Sequence, residues 1–224
     1  MTGTFKPRMD ILSSGQRRLW PDLANAPNLG FTLYGGTAVA LRLGHRHSVD
    51  FDFFSEKPLD RNALTAAFPF MAQSTSIQDQ ANTWVVLVPY GNSEREYVKV
   101  SWFGTVAFGR VEEPDFTDDG VLRVASFDDL MASKVKVVLQ RAEAKDYRDV
   151  AAMVGAGVSL SRGLAAARLL FGANFQASES LKALVYFNDG DLHTLSAAEK
   201  NVLVHAVQAV RDLPDVTLRS KHLI

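Results

Sequence analysis

An α/β unit over residues 1–124, followed by a helical unit over residues 125–224, is the fold class this sequence predicts. Three observations point to it. Up to about Val124, short apolar or alternating runs are separated by turn residues, which is the strand signal. After Ala125 the pattern becomes helical, and no glycine or proline occurs between Phe127 and Val154. No repeat or low-complexity linker separates the two textures, so the units are expected to share an interface.

The strands expected in the first unit cover residues 31–34, 49–54, 75–78, 83–89, 97–103 and 121–124. Gly91-Asn92-Ser93, between two of them, reads as a hairpin turn. Helices fit 16–23, 37–43 and 60–67. In the second unit, Ser126 to Asp129 and Ser196 to Glu199 have capping-box spacing, with Asp129 replacing the preferred Glu or Gln. A helix is expected to start there and to stop at Gly155-Ala156-Gly157. Further helices fit 161–171, 178–186 and 197–213.

Composition narrows the class. Hydrophobic residues make up 47% of 224 and charged residues 22%, ordinary for a globular enzyme or binding protein. The net charge of −1 advertises no nucleic-acid or membrane partner, so any basic surface must be local. The absence of cysteine excludes disulfides, Cys-ligated zinc and thiol catalysis. No signal-peptide core is evident in the first twenty residues, and the longest apolar run, 84–88, is far too short to span a bilayer. The expected location is the cytoplasm, with no membrane partner.

The stretch LYGGTAVALRLGHRHSVDFDFFS, beginning at Leu33, concentrates the chemistry. On a strand over 49–54, Val49, Phe51 and Phe53 point one way while Asp50 and Asp52 point the other. Two carboxylates on one face repel unless a cation compensates. Mg²⁺ binds through one or two carboxylates plus substrate phosphates, which such a pair suits. An edge strand with one solvated face would show the same pattern. Just upstream, Leu33-Tyr34-Gly35-Gly36-Thr37 reads as strand, glycine turn and helix start near Thr37. Glycines admit a ligand close to the backbone, exposed helix-start amides favour phosphate, and Thr37 carries a hydroxyl.

This arrangement resembles the polymerase-β-type nucleotidyltransferase fold, and the full string resembles the AbiEii/AbiGii-type toxin nucleotidyltransferases more narrowly. A second motif, Lys134 followed by R-x-x-x-K-D-x-x-D from Arg141 to Asp149, resembles that family's later motifs; together they span residues 30–155. Without the family, Lys134 falls within the stripe of Phe127, Met131 and Val138, so it either snorkels or serves a site. An unbroken helix would line Lys134, Arg141 and Lys145 along one side, suited to a triphosphate or an RNA backbone. The alternative is a solvated helix with local pairs such as Glu143 with Lys145.

The resemblance implies an α/β nucleotidyltransferase fold with a mixed sheet, and a helical domain closing the active-site cleft. It implies Mg²⁺-dependent transfer of NMP from an NTP to an acceptor hydroxyl, with tRNA or another RNA as acceptor, by the toxin of a toxin–antitoxin pair. Gly35, Gly36 and Thr37 would hold phosphates, joined by Arg46 and Lys145. Asp50 and Asp52 would ligate Mg²⁺, and Lys134 would contact phosphate. Asp146 would orient a cation or catalytic water, or hold Lys134. A cognate antitoxin protein would be the partner.

One departure stands out. The third carboxylate usual on a later strand falls at Ser101, and Glu94 and Glu96 sit too early to replace it. A decayed nucleotide- or partner-binding module, or a purely structural antitoxin-binding subunit, are therefore the competing readings. His45 and His47 flank Arg46 without an evident third metal ligand and read as loop histidines. Asp189-Gly190-Asp191 reads as a turn rather than a calcium loop.

Overall fold

The computed structural model describes residues 3–90 and 97–223; the expected turn at Gly91-Asn92-Ser93, with Glu94 and Glu96, lies outside the described residues. The chain divides into two compact units. One comprises Met1–Ala107, Glu113–Ala125 and His222–Ile224, the other Phe108–Glu112 and Ser126–Lys221.

The first unit is built on a mixed sheet of β1 (Thr4–Phe5), β2 (Thr32–Tyr34), β3 (Asp50–Phe54), β4 (Thr75–Gln80), β5 (Thr83–Pro89), β6 (Tyr97–Phe103), β7 (Asp115–Thr117) and β8 (Arg123–Val124). Their order is β1-β7-β8-β2-β3-β6-β5-β4. The two-residue β1 and three-residue β7, absent from the expected set, are too short to leave an alternation. β3 lies centrally, antiparallel to β2 and parallel to β6.

Alternation along β3 divides its residues as expected. Phe51 and Phe53 are buried at 0% and 1% exposure, whereas Asp50 and Asp52 are half-buried on the other face. Phe53 stacks on Trp102 at 4.6 Å between centroids, and Trp102 stacks on Phe68 at 4.8 Å. These aromatic contacts anchor the strand from below. Val49, assigned by sequence to the buried side, is instead 62% exposed because the strand begins at Asp50.

Helices α1 (Ser14–Leu19), α2 (Gly35–Leu43) and α3 (Arg61–Ala67) complete this unit. α1 starts at a Ser13–Gln16 capping box, two residues before the expected start. It gives way to a 3-10 segment, Trp20–Asn25, where Pro21 removes a helical donor. α2 ends on Gly44, whose φ of 68° and amide bond to Ala40 O form a left-handed cap.

The second unit holds α4 (Phe127–Val137), α5 (Ala144–Gly155), α6 (Leu160–Phe171), α7 (Ala177–Leu184) and α8 (Ala197–Ala209). The helix expected to run unbroken from Phe127 is in fact two. It tightens after Lys134, with Leu139 N bonding Lys136 O and Gln140 N bonding Val137 O, then restarts at Ala144. The cap for that restart comes from afar: Ala144 N donates to Asp191 Oδ1 at 2.6 Å. Asp191 thus has a structural role that its local sequence does not disclose. α4 and α6 approach closely, since a Cβ on Gly163 would fall 2.1 Å from Met131 Cγ.

Ser126 caps α4 by accepting from Asp129 N and donates its own hydroxyl to Asp129 Oδ2 at 2.7 Å, so the reciprocal half of a capping box is not made. The Asp129 carboxylate instead accepts Val111 N at 2.9 Å and Glu112 N at 3.4 Å. Burial pushes its pKa up to about 6, against the opposing pull of the Ser126 hydroxyl and the two amides. A folded value above the unfolded one means the native state binds the extra proton, so stability at this site rises as pH falls through 6. Wild type should therefore gain about 1–2 kcal/mol on an Asp129→Asn variant between pH 7 and pH 4.5. Urea denaturation at both pH values measures the gain, and a pH-independent difference would show that the hydrogen bonds cancel the effect of burial.

Candidate active site

The register of the first unit assembles one cluster. Tyr34 pairs with Asp52 across β2 and β3, while Asp50 pairs with Lys99 and Asp52 with Ser101 across β3 and β6. Paired residues in adjacent strands share a face. Tyr34, Asp50, Asp52, Lys99 and Ser101 therefore stand on one side of the sheet. Lys99 Nζ lies 2.8 Å from Asp50 Oδ2, an ion pair in which both side chains keep partial exposure.

Tyr34 leads straight into α2, and the glycines occupy the first turn of that helix rather than a turn before it. Gly35 has φ +75°, and a Cβ there would fall 2.7 Å from Asp52 Oδ2. The glycine thus provides both a left-handed conformation and room for the carboxylate. No side chain caps the start of α2, and Gly35 and Gly36 remain half-buried at its open end. Gly35→Ala should cost about 1–2 kcal/mol of stability and displace Asp52. Thermal melting and nucleotide-transfer assays of that variant test both effects together.

Thr37 is placed differently from its expected role. Its hydroxyl is 2% exposed, lies 2.6 Å from Ser48 Oγ and donates to the Asp50 carbonyl oxygen. With its proton committed to Asp50, Thr37 Oγ1 accepts from Ser48. The hydroxyl therefore braces β3 from below instead of presenting itself to phosphate; only the backbone amide retains that option. Arg46 Nη1 donates to His47 O at 3.0 Å, and His47 Nδ1 is 3.1 Å from Ile11 O, so this basic loop is tied to the scaffold.

The donor set fits a hard divalent cation of the Mg²⁺ kind. Two half-exposed carboxylates share a face, and phosphate and water supply the remaining oxygens around such an ion. Among the described residues no group of three or more His, Cys, Asp or Glu is placed to hold a metal. Opposite Asp52, β6 brings Ser101, a residue 2% exposed, rather than an acid.

The second unit carries its own charge cluster. Lys134 Nζ lies 2.7 Å from Asp146 Oδ1 and 2.6 Å from Asp149 Oδ2, and both carboxylates are 0% exposed. Arg141 Nε adds a contact of 2.8 Å to Asp146 Oδ2. Burial alone would raise the Asp146 pKa, but Lys134 and Arg141 outweigh it and hold the carboxyl below its usual range. The expected row of three cations is not formed, because the chain turns between α4 and α5. That turn brings Arg141 back onto Asp146, while Lys145 pairs with Glu143 at 2.7 Å on the exposed side. Of the two roles considered for Asp146, holding Lys134 is the one its contacts display.

Sequence reading missed Lys99. Its signal is present in the alternation Tyr97-Val98-Lys99-Val100-Ser101, which sets the lysine on the same face as Ser101. What sequence lacks is the β3–β6 register that puts it opposite Asp50.

Comparison with known proteins follows the same lines. Residues 22–214 match the family model described as "Nucleotidyl transferase AbiEii toxin, Type IV TA system". An uncharacterised protein of Aquifex aeolicus (strain VF5) is 30% identical over 122 residues, covering 54% of this chain and 55% of that protein. The chain thus matches about half the length of that relative. Among solved structures, the nucleotidyltransferase toxin MenT4 of Mycobacterium tuberculosis H37Rv superposes with a TM-score of 0.50 at 13% identity, covering 86% of this chain and 91% of that one. At that identity the likeness establishes a shared fold.

Proposed function

This chain belongs to the AbiEii nucleotidyltransferase toxin family of type IV toxin–antitoxin systems, and we propose that it moves a nucleoside monophosphate from an NTP to an acceptor hydroxyl on RNA, tRNA being the foremost candidate. The observation that carries the reading is the same-face pair Asp50 and Asp52 beside the uncapped, glycine-started α2. In the reaction, the acceptor oxygen attacks the α-phosphorus, a new P–O bond forms, and the bond to the bridging oxygen breaks to release pyrophosphate. Asp50 and Asp52 would hold Mg²⁺, which when bound would supply neutralisation of the charge developing on the phosphates.

The residues divide the remaining work. The amides of Gly36 and Thr37 at the start of α2 face incoming phosphate, and the helix dipole favours that charge. Asp50 and Asp52, on one face of β3, would be the residues that hold the metal. Arg46 lies in the loop just before that strand, where it meets the phosphates or the RNA backbone. Lys134 and Asp146 act as a paired unit within the helical part. Lys145, already paired with Glu143, contributes to RNA attraction at most through its surface charge. A cognate antitoxin is the protein partner that the family implies. No helix among the described residues is long and apolar enough to cross a membrane.

The test is transfer of label from each α-labelled NTP to total RNA in the presence of Mg²⁺. Label on RNA identifies the nucleotide and the acceptor class together. A specific observation keeps a second reading alive: Ser101 stands opposite Asp52, where an acid would take the proton of the attacking hydroxyl. A decayed nucleotide-binding module would still gain melting temperature from Mg-NTP yet release no pyrophosphate under any condition.

A further inference from the structure

The ion pair between Lys99 and Asp50 has no place in the reading above. It sits inside the carboxylate row, with the ammonium 2.8 Å from the oxygen that a cation would seek. β3 and β6 run parallel and in register there, so Lys99 is held opposite Asp50 by the sheet itself rather than by a mobile loop. The next pair along the same face is Asp52 with Ser101, where no further negative charge is supplied. The cluster of Asp50, Asp52 and Lys99 therefore carries a single net negative charge.

Two carboxylates on one face attract a divalent cation. With the ammonium present, a cation entering alone must displace an existing partner and then face a positive charge at close range. A nucleotide changes that balance, because its phosphates bring negative charge that satisfies both the cation and the released ammonium. Resting on the assignment of Asp50 and Asp52 as metal ligands, we propose that Lys99 makes metal loading depend on nucleotide. It occupies Asp50 in the empty protein and transfers to the triphosphate when the metal–nucleotide complex arrives. The site is thereby kept from filling with free Mg²⁺.

By linkage, the factor by which bound nucleotide raises metal affinity through Lys99 equals the factor by which bound metal raises nucleotide affinity. The test uses Mn²⁺ as the probe, titrated by electron paramagnetic resonance against wild type, Lys99→Met, Lys99→Arg and Asp50→Asn/Asp52→Asn, with and without each of the four α,β-non-hydrolysable NTP analogues. Because the pair is partly exposed, the expected changes are of modest size. Lys99→Met should bind Mn²⁺ alone roughly tenfold more tightly and the Mn²⁺–analogue complex roughly tenfold more weakly. Lys99→Arg keeps the charge and should stay near wild type. Lys99→Gln provides the same readout if the methionine variant does not fold.

Unchanged or weaker Mn²⁺ binding by both neutral variants overturns the proposal. If Asp50→Asn/Asp52→Asn abolishes Mn²⁺ binding in that case, the assignment of the carboxylates survives without it. Mn²⁺ binding that persists after both carboxylates are removed overturns the two together.

Discussion

Asp52→Asn should lower nucleotide transfer by roughly a thousandfold while leaving the melting temperature within a few degrees of wild type. The rate expectation follows from the several kcal/mol of charge stabilisation that a bound metal supplies at the reacting phosphate. The stability expectation follows from place: Asp52 lies on the half-open face of β3, and the amide is isosteric with the carboxylate, so the fit against Gly35 is preserved. Label transfer from an α-labelled NTP gives the first quantity and calorimetry the second. Retention of wild-type turnover in Asp52→Asn, and also in the double variant Asp50→Ala/Asp52→Ala, would sink the metal-site reading.

Lys134→Met should unfold more easily by about 3–5 kcal/mol, the cost of removing one member from a buried ion network. Its ammonium is the group shared by Asp146 and Asp149, both fully shielded from water. In the variant Asp146 keeps Arg141, but the pair of carboxylates loses the cation lodged between them. Their proton affinity must then rise, so the deficit should shrink as pH is lowered and the carboxylates protonate. Denaturant titrations at pH 7 and pH 5 measure both the deficit and its pH dependence. A lysine that served only as a phosphate contact would give the opposite pattern: full stability with lost turnover. The outcome therefore separates a residue that builds the helical unit from one that merely reaches into the cleft.

How much of this was legible beforehand depended on the range of the interaction involved. Strand β3 and its two faces could be read because alternation is a local property of consecutive residues, and Phe51 and Phe53 went inside as that pattern demands. The expected strand over 97–103 matches β6 for the same reason. Where a boundary was set by a neighbour, reading failed. Val49 was assigned to a strand that pairing begins one residue later, and α5 restarts under a cap from Asp191, far along the chain. Thr37 looked like a phosphate ligand because its hydroxyl follows two glycines; Ser48 and the Asp50 carbonyl claim that hydroxyl only once β3 lies against α2.

The candidate site divides in the same way. The sequence by itself determined the residue types: two aspartates spaced for one face, glycines at a helix start, and a lysine followed by an R-x-x-x-K-D-x-x-D string. Tertiary structure alone decided the partners across strands. Strand register set Lys99 on Asp50 and Ser101 on Asp52, whereas Lys145 with Glu143 is a local pair that the sequence already offers. The physical reason is common to both cross-strand pairs. Spacing along a chain fixes which way a side chain points, but the charge it meets there belongs to a segment brought in by burial of apolar surface elsewhere.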